Sequence, residues 1–284
     1  MKTMWKGAIQ FGLVSIPVRM YTGTSDKSLG FHQLHDEDMG RIRYHRVCHT
    51  CGQEVPFEDI IKGYEIEKDR HVPLTEEDLE AVEVTSSRAV DIAAFVKSEE
   101  IDPIYYERTY YLAPEELGAK PYHLLRQVLQ ETDRAAVAKI TLREKEHLAL
   151  IRPMGEALVL ETMHWPDEIR ELPREELRTD VKIRDQERQM AVSLIDNLTE
   201  DWNPQEFRDE YRDALMTVIE QKAAGETVEA RKAEEPAPAI DLMDALKASV
   251  EAAKKRRTQR DDKKSGEEQK KQKKEKKEQA AAAS

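Results

Sequence analysis

A chain of 284 residues with 39% hydrophobic and 36% charged residues and a mean hydropathy of −0.74 can hold one large domain or two smaller ones, with a real core and a heavily solvated part. No run approaches the roughly eighteen apolar residues of a membrane span, and two cysteines make no disulfide framework, so the expectation is a cytoplasmic protein with a retained N-terminus and no membrane partner. The net charge of −12 is unevenly spread: residues 251–284 hold thirteen Lys/Arg against seven Asp/Glu, a net of +6, which leaves −18 on residues 1–250, and an acidic body with a basic tail points to nucleic-acid or membrane contact.

Residues 6–21 alternate, with Ile9, Phe11 and Leu13 followed by Ile16, Val18 and Met20. This predicts one long, bent strand of a barrel or curved sheet, in which Gly7 and Gly12 oppose a helix and Pro17 limits pairing on one side. Alternation also predicts strands at Leu29–His35 and at Arg41–Val47, the latter with cations along one face. Cys48–Gly52 reads as a tight turn and Gly63–Glu67 as a strand. Pro73–Leu79 opens a helix, with Thr75 as N-cap and Asp78 reaching back to it. Strands are expected at Val90–Val96 and Glu107–Leu112. Pro121–Glu131 reads as a helix with Leu124, Leu125, Val128 and Leu129 on one face. Strands at Ala135–Leu142, His147–Pro153 and Ala157–Met163 are separated by short turns, as in an antiparallel meander.

After Trp165-Pro166 the period becomes helical. Helices are expected at Gln186–Leu198 and at Pro204–Ala224, the second capped by Asn203 with Pro204 in its first turn. Gly225 ends it. The predicted organisation is a mixed, β-rich fold: a curved β-barrel core over 1–165, a helical arm and dimerisation region over 166–224, a Pro/Ala/Glu linker over 225–239, a short amphipathic segment over 240–250, and a disordered Lys-rich tail over 251–284. A lone amphipathic helix as short as 240–250 is marginal in water, so it is expected to dock on something.

Chemistry is sparse. Cys48-His-Thr-Cys51 can present two thiolates to zinc, and His45, His49, His32, His35 or His71 would have to add ligands. A structural site wants four, and there is no second C-x-x-C, so the turn is read as holding two free thiols and no metal is assigned. A thioredoxin-like role is disfavoured because the pair follows a basic strand rather than opening a helix. There is no Gly-rich phosphate loop, nucleophile elbow or H-E-x-x-H, so no catalytic residue or cofactor is assigned and the chain is read as a non-enzyme. The cations Arg41, Arg43, Arg46, Lys62, Arg126, Arg134, Lys139 and Arg143 recur on successive elements. Phosphate contacts need cations from several elements converging on one surface; ordinary surface charge is the competing reading.

Several stretches resemble the bacterial Ku proteins: Trp5-Lys-Gly-Ala-Ile-Gln-Phe-Gly-Leu-Val-Ser-Ile-Pro-Val-Arg, Arg46-Val-Cys followed by Gly52, Glu58–Glu65, Tyr110-Tyr-Leu-Ala-Pro and Tyr122-His-Leu-Leu. The likeness continues through Ala138-Lys-Ile, Glu146-His-Leu-Ala-Leu-Ile-Arg-Pro, Leu158-Val-Leu-Glu-Thr-Met and Glu187-Arg-Gln-Met-Ala, covering roughly residues 1–224, and Asp241–Ser249 resembles a segment many of these proteins carry after the core. The resemblance implies a homodimer whose barrels and crossing arms form a ring around double-stranded DNA. Such a ring threads onto DNA ends with little sequence preference and recruits the ATP-dependent DNA ligase D for non-homologous end joining in double-strand break repair. It also implies a nucleoid-associated location, adds Lys6 and Arg19 as phosphate contacts beside the channel, and makes segment 240–250 the candidate ligase contact. The alternatives are a nonspecific DNA scaffold acting through the basic tail and a Cys-based metal or redox protein.

Overall fold

The opening stretch folds as a hairpin, not as one bent strand. β1 (Trp5–Phe11) pairs antiparallel with β2 (Val14–Thr22), with Ile9 opposite Ile16 and Lys6 opposite Arg19. The apolar positions change parity between Leu13 and Ile16, which a continuous pleat cannot do but a two-residue turn does. Gly12 supplies that turn with a φ of 55°, the left-handed first position of a hairpin turn that glycine adopts without a Cβ clash. Leu13 is consequently displaced into solvent.

The computed structural model describes residues 1–81, 88–143, 145–177, 180–227 and 242–255, and the chain divides into two units at Leu172/Pro173. In the first unit, β1 and β2 join β5 (Ala89–Lys97), β6 (Tyr106–Pro114), β7 (Arg134–Leu142), β8 (Lys145–Met154) and β9 (Ala157–Met163) in a closed barrel of order β1-β2-β6-β9-β8-β7-β5. The predicted meander is β7–β8–β9. Every neighbouring pair is antiparallel except β1 with β5, a parallel pairing of three registered residues, Ala8 with Ala89 through Gln10 with Asp91.

The barrel is filled by alternate residues of each strand, among them Ile9, Val18, Val90, Ile140, Ile151 and Leu160. Helix α2 (Ala119–Glu131) adds Tyr122, Leu125 and Leu129 to that core. The Tyr122 hydroxyl donates to the Leu112 carbonyl at 2.6 Å and accepts from the Leu158 N–H at 2.7 Å, so one buried phenol ties α2 to β6 and β9. The inward stripe is thus 122, 125 and 129. Leu124 and Val128, expected on the packed face, stay exposed.

Between β2 and β5 the described residues 23–81 form an excursion from the barrel. The strands expected at 29–35 and 41–47 do not form; single bridges, Leu34 with Arg41 and Val47 with Glu54, stitch two short loops. Alternation makes a strand only where a neighbouring ladder satisfies its backbone, and among the described residues these segments join no sheet. The ladder in this excursion is the two-stranded sheet of β3 (Lys62–Glu67) and β4 (Arg70–Leu74). Helix α1 (Glu76–Ala81) follows, with the expected cap: the Asp78 N–H donates to Thr75 Oγ1 and the Thr75 N–H to Asp78 Oδ2.

In the second unit α3 (Asp185–Leu198) forms where helical spacing predicted it. The helix expected over 204–224 is broken. Asn203 caps only a single 3-10 turn, Pro204–Glu206, and the helix restarts as α4 (Glu210–Ala223) when the Asp209 carboxylate accepts the Arg212 N–H. Between them Phe207 stacks on Trp202 with ring centroids 5.2 Å apart. Residues 242–255 form α5, which runs past the predicted end at 250 and buries Val250 and Ala253. The predicted linker from 228 on, residues 240 and 241 of the amphipathic segment, and the predicted tail from 256 on lie outside the described residues.

Candidate nucleic-acid interface

Barrel geometry decides which cations face outward. In the β1–β2 hairpin positions 9, 16, 18 and 20 are buried, so Lys6 and Arg19, directly opposite each other, stand together on the outer wall. Arg19 Nε lies 3.0 Å from Glu115 Oε1, and this hydrogen bond and charge raise the guanidinium pKa further above its ordinary value. On β7, Lys139 also faces out, 3.1 Å from Glu146 and 5.5 Å from the centroid of the Trp165 ring. Arg134 is half-buried at the start of β7 and sits in register with Lys97 of β5. Arg143 is exposed in the β7–β8 turn with a φ of 50°.

Arg41, Arg43 and Arg46 are exposed on the excursion, but not on the face of a strand; Arg46 lies over the Phe57 ring at 5.3 Å. Lys62 is exposed at the start of β3. Arg126 is different. Its Nη1 donates to the Gly155 carbonyl and to Gln130 Oε1, both at 2.9 Å, and its Nε is buried without a partner. Arg126 therefore pins the β8–β9 turn to α2. Among the described residues Lys6, Arg41, Arg43, Lys62, Arg134 and Arg143 carry no ion pair, so their charge is open to an anion from solution.

Two cations were passed over by sequence reasoning. Lys97 is brought beside Arg134 by strand register across 37 positions, and no local pattern signals that. Arg152 lies outward on β8, but its guanidinium holds Glu161 through two hydrogen bonds of 3.1 and 2.7 Å. That pair is largely buried and raises the Arg152 pKa, chiefly through the hydrogen bond.

The Cys48–Cys51 turn is sharply defined. The Cys48 N–H donates to the Gln53 carbonyl at 2.8 Å, the Gly52 N–H donates to the Cys48 carbonyl at 2.9 Å, and Gly52 takes a φ of 70°. Backbone hydrogen bonding from Cys51, and then Thr50, holds the Cys48 thiol pKa below its ordinary value. Both cysteines are free. His45, beside them, is turned to Glu54 at 2.6 Å, which raises its pKa. Among the described residues no three His, Cys, Asp or Glu side chains gather as a metal site, and no helix is long and apolar enough to cross a membrane.

Apolar surface is abundant outside the barrel. The excursion exposes Phe31, Tyr44, Phe57, Ile61 and Tyr64. Helices α3 and α4 bury no residue, and leave Ile195, Leu198, Tyr211 and Ile219 open to solvent. One end of the barrel also carries an apolar groove of about 580 Å³ lined by Phe11, Phe95, Leu124, Val128 and Leu129, with Arg134 at its edge.

Comparison with known proteins adds a family. The Ku70/Ku80 beta-barrel domain matches residues 10–190. A protein of Saccharopolyspora erythraea named non-homologous end joining protein Ku 2 is 47% identical over 260 residues, 89% of this chain and 85% of the relative. Proteins named non-homologous end joining protein Ku are similar in Frankia casuarinae, 47% identical over 255 residues, and in Desulfitobacterium hafniense, 46% identical over 251 residues. These matches cover 89% and 88% of this chain, but 64% and 87% of the respective relatives.

Proposed function

We propose, because this chain belongs to the Ku family, that it binds the ends of double-stranded DNA without sequence preference and acts in non-homologous end joining. The observation that carries the reading is the match along nearly the whole chain to proteins bearing that name. The physical features are consistent with it. Cations free of ion pairs, on the hairpin wall and on the excursion, suit phosphates, which carry no sequence information.

The protein acts as a homodimeric ring threaded onto the DNA end. Support comes from apolar surface its own fold leaves uncovered: two fourteen-residue helices with no buried residue, and an excursion studded with exposed aromatics. A monomer rarely exposes this much, and burying each such side chain is worth roughly 1.5–3 kcal/mol. Enclosure within a ring also reconciles an acidic body with DNA binding, since the acid can face outward while cations line the bore. The ring recruits the ATP-dependent DNA ligase D, with segment 240–250 as its docking segment, and the reading contains no catalytic step. The Lys-rich tail over residues 251–284 adds electrostatic grip on flanking DNA.

The test is a gel-shift series on linear, hairpin-capped and covalently closed circular duplexes of one sequence and length. The linear form should bind, capped ends should bind weakly, and the circle should not bind specifically at all. Equal affinity for the circle overturns the threaded ring and favours the scaffold reading.

A further inference from the structure

We propose that the apolar groove at one end of the barrel is a docking site for an amphipathic helix of a partner protein, one that carries a carboxylate where its apolar row meets Arg134. The inference goes beyond end binding, and neither depends on the other. It starts from α2, which is apolar on two faces. One stripe, Tyr122, Leu125 and Leu129, fills the barrel. A second, Pro121, Leu124 and Val128, lines the groove, with Leu124 61% and Val128 44% exposed. A surface helix needs one apolar stripe to hold it to its core, so the second stripe is not required by the fold.

The shape of the groove selects a helix. Its far wall is Phe11 of β1 and Phe95 of β5, whose rings meet edge to face with centroids 6.3 Å apart, and Val14 extends it past the Gly12 turn. The near wall runs along α2 from Pro121 to Thr132, about 16 Å at the rise of a helix. That length takes about three turns of a second helix, whose apolar side chains recur at three- and four-residue spacing. Leu124 and Phe95 stand half in solvent along its rims, so a small molecule would remain wet, whereas small-molecule sites enclose roughly 70–90% of the ligand. A second copy of this chain is a poor match. Stable interfaces engage about 20–30 residues a side, and the broad uncovered surfaces are those of α3, α4 and the excursion.

Charge selects the sign of the partner. Of the residues lining the groove only Thr132 and Arg134 are polar. The Thr132 hydroxyl already donates to the Val128 carbonyl at 2.7 Å. Arg134 lies directly across the ladder from Lys97, and Phe95 pairs with Ala136 two residues along the same strands, so Phe95, Lys97 and Arg134 share one face. Like charges directly opposite on a sheet repel. Lys97 has Glu99 at 3.7 Å, but no carboxylate of the chain pairs with Arg134 among the described residues. A carboxylate on the incoming helix would complete this half-buried guanidinium at the edge of an otherwise apolar trough.

The experiment uses the full-length chain with methyl-labelled leucine and valine, followed by nuclear magnetic resonance. A soluble paramagnetic agent should broaden the Leu124 and Val128 methyl signals of the free protein. Shielding of both would mean that a second copy covers the groove, and overturns the proposal. The probe is a capped designed helix of about fourteen residues, with leucines at three- and four-residue spacing and a glutamate at one end. Its controls are a scrambled twin and a twin with lysine for glutamate. The expected result is a saturable shift of the Val14, Leu124, Leu125 and Val128 methyls, with affinity about tenfold or more lower for the scrambled twin. Leu124→Glu, at an exposed position, should lower affinity for the probe by a similar factor and leave the gel shift of the linear duplex unchanged. Arg134→Glu should reverse the preference between the glutamate and lysine peptides. No saturable shift, shifts centred on α3 or α4, equal affinity for the scrambled twin, or an unreversed preference each overturn the site. Probe binding by a protein that fails to bind linear DNA leaves the groove standing and overturns end binding.

Discussion

Individual residues divide here into those the fold has already used and those it leaves for a partner. Tyr122 belongs to the first group. Its hydroxyl is donor to Leu112 and acceptor from Leu158 inside the core, so Tyr122→Phe leaves a buried carbonyl and a buried N–H unsatisfied. The expected loss is about 1–3 kcal/mol for each group so stranded, read as a lower urea midpoint with an unchanged slope. Arg126 and Arg152 are likewise engaged inside the fold. Arg41 and Arg43 belong to the second group. Reversing both to Glu should weaken DNA binding for every sequence alike and flatten the dependence on log salt by about one for each phosphate no longer neutralised. Undiminished affinity and an unchanged slope in a salt titration would remove them from the interface. The cation type was readable from the chain, but not its availability. That depends on whether a carboxylate such as Glu115 or Glu146 arrives from another strand, and strand register is not a local property of sequence.

Elements were most legible where turn chemistry and alternation agreed. The β7–β8–β9 meander is such a case, because each strand finds its ladder within three residues of chain. The opening hairpin was half legible: both strands carried the right residues, and the change of parity between Leu13 and Ile16 was the overlooked sign of a turn. The turn itself is testable. Nothing lies within 4 Å of a Cβ built on Gly12, whose φ is 55°. Gly12→Ala therefore meets no neighbour and incurs only the left-handed backbone strain, about 1–2 kcal/mol, visible as a lower melting temperature. A neutral result would show that the turn has relaxed to another type. The segments at 29–35 and 41–47 misled because alternation alone does not supply the neighbouring ladder a strand needs, and here only isolated bridges form. The helix expected across 204–224 failed for a local reason: Asp209 is a second N-cap, and two caps six positions apart break one helix into a turn and a helix.

At the scale of the whole molecule, charge is distributed by segment, with −18 on residues 1–250 and +6 on residues 251–284. If the core does the end binding, removing residues 251–284 should lower affinity and salt sensitivity yet keep the preference for linear over circular DNA. Loss of all binding in the same gel shift would place the activity in the tail. The barrel has its own asymmetry. β7 and β8 are joined by seven registered pairs, whereas β1 meets β5 through three, the one parallel pairing, with the 66 residues between β2 and β5 intervening. A cylinder built this way has a seam. The seam closes a long loop for the fewest registered pairs in the barrel, so it is among the last stitches in folding and the first to part. Native-state hydrogen exchange should find the Ala8 amide, which donates across the seam to Arg88 at 2.9 Å, opening at lower free energy than the amides shared by β7 and β8. Uniform protection around the barrel would contradict this. Since the excursion is anchored on both sides of that seam, whatever holds it in place also zips the cylinder shut.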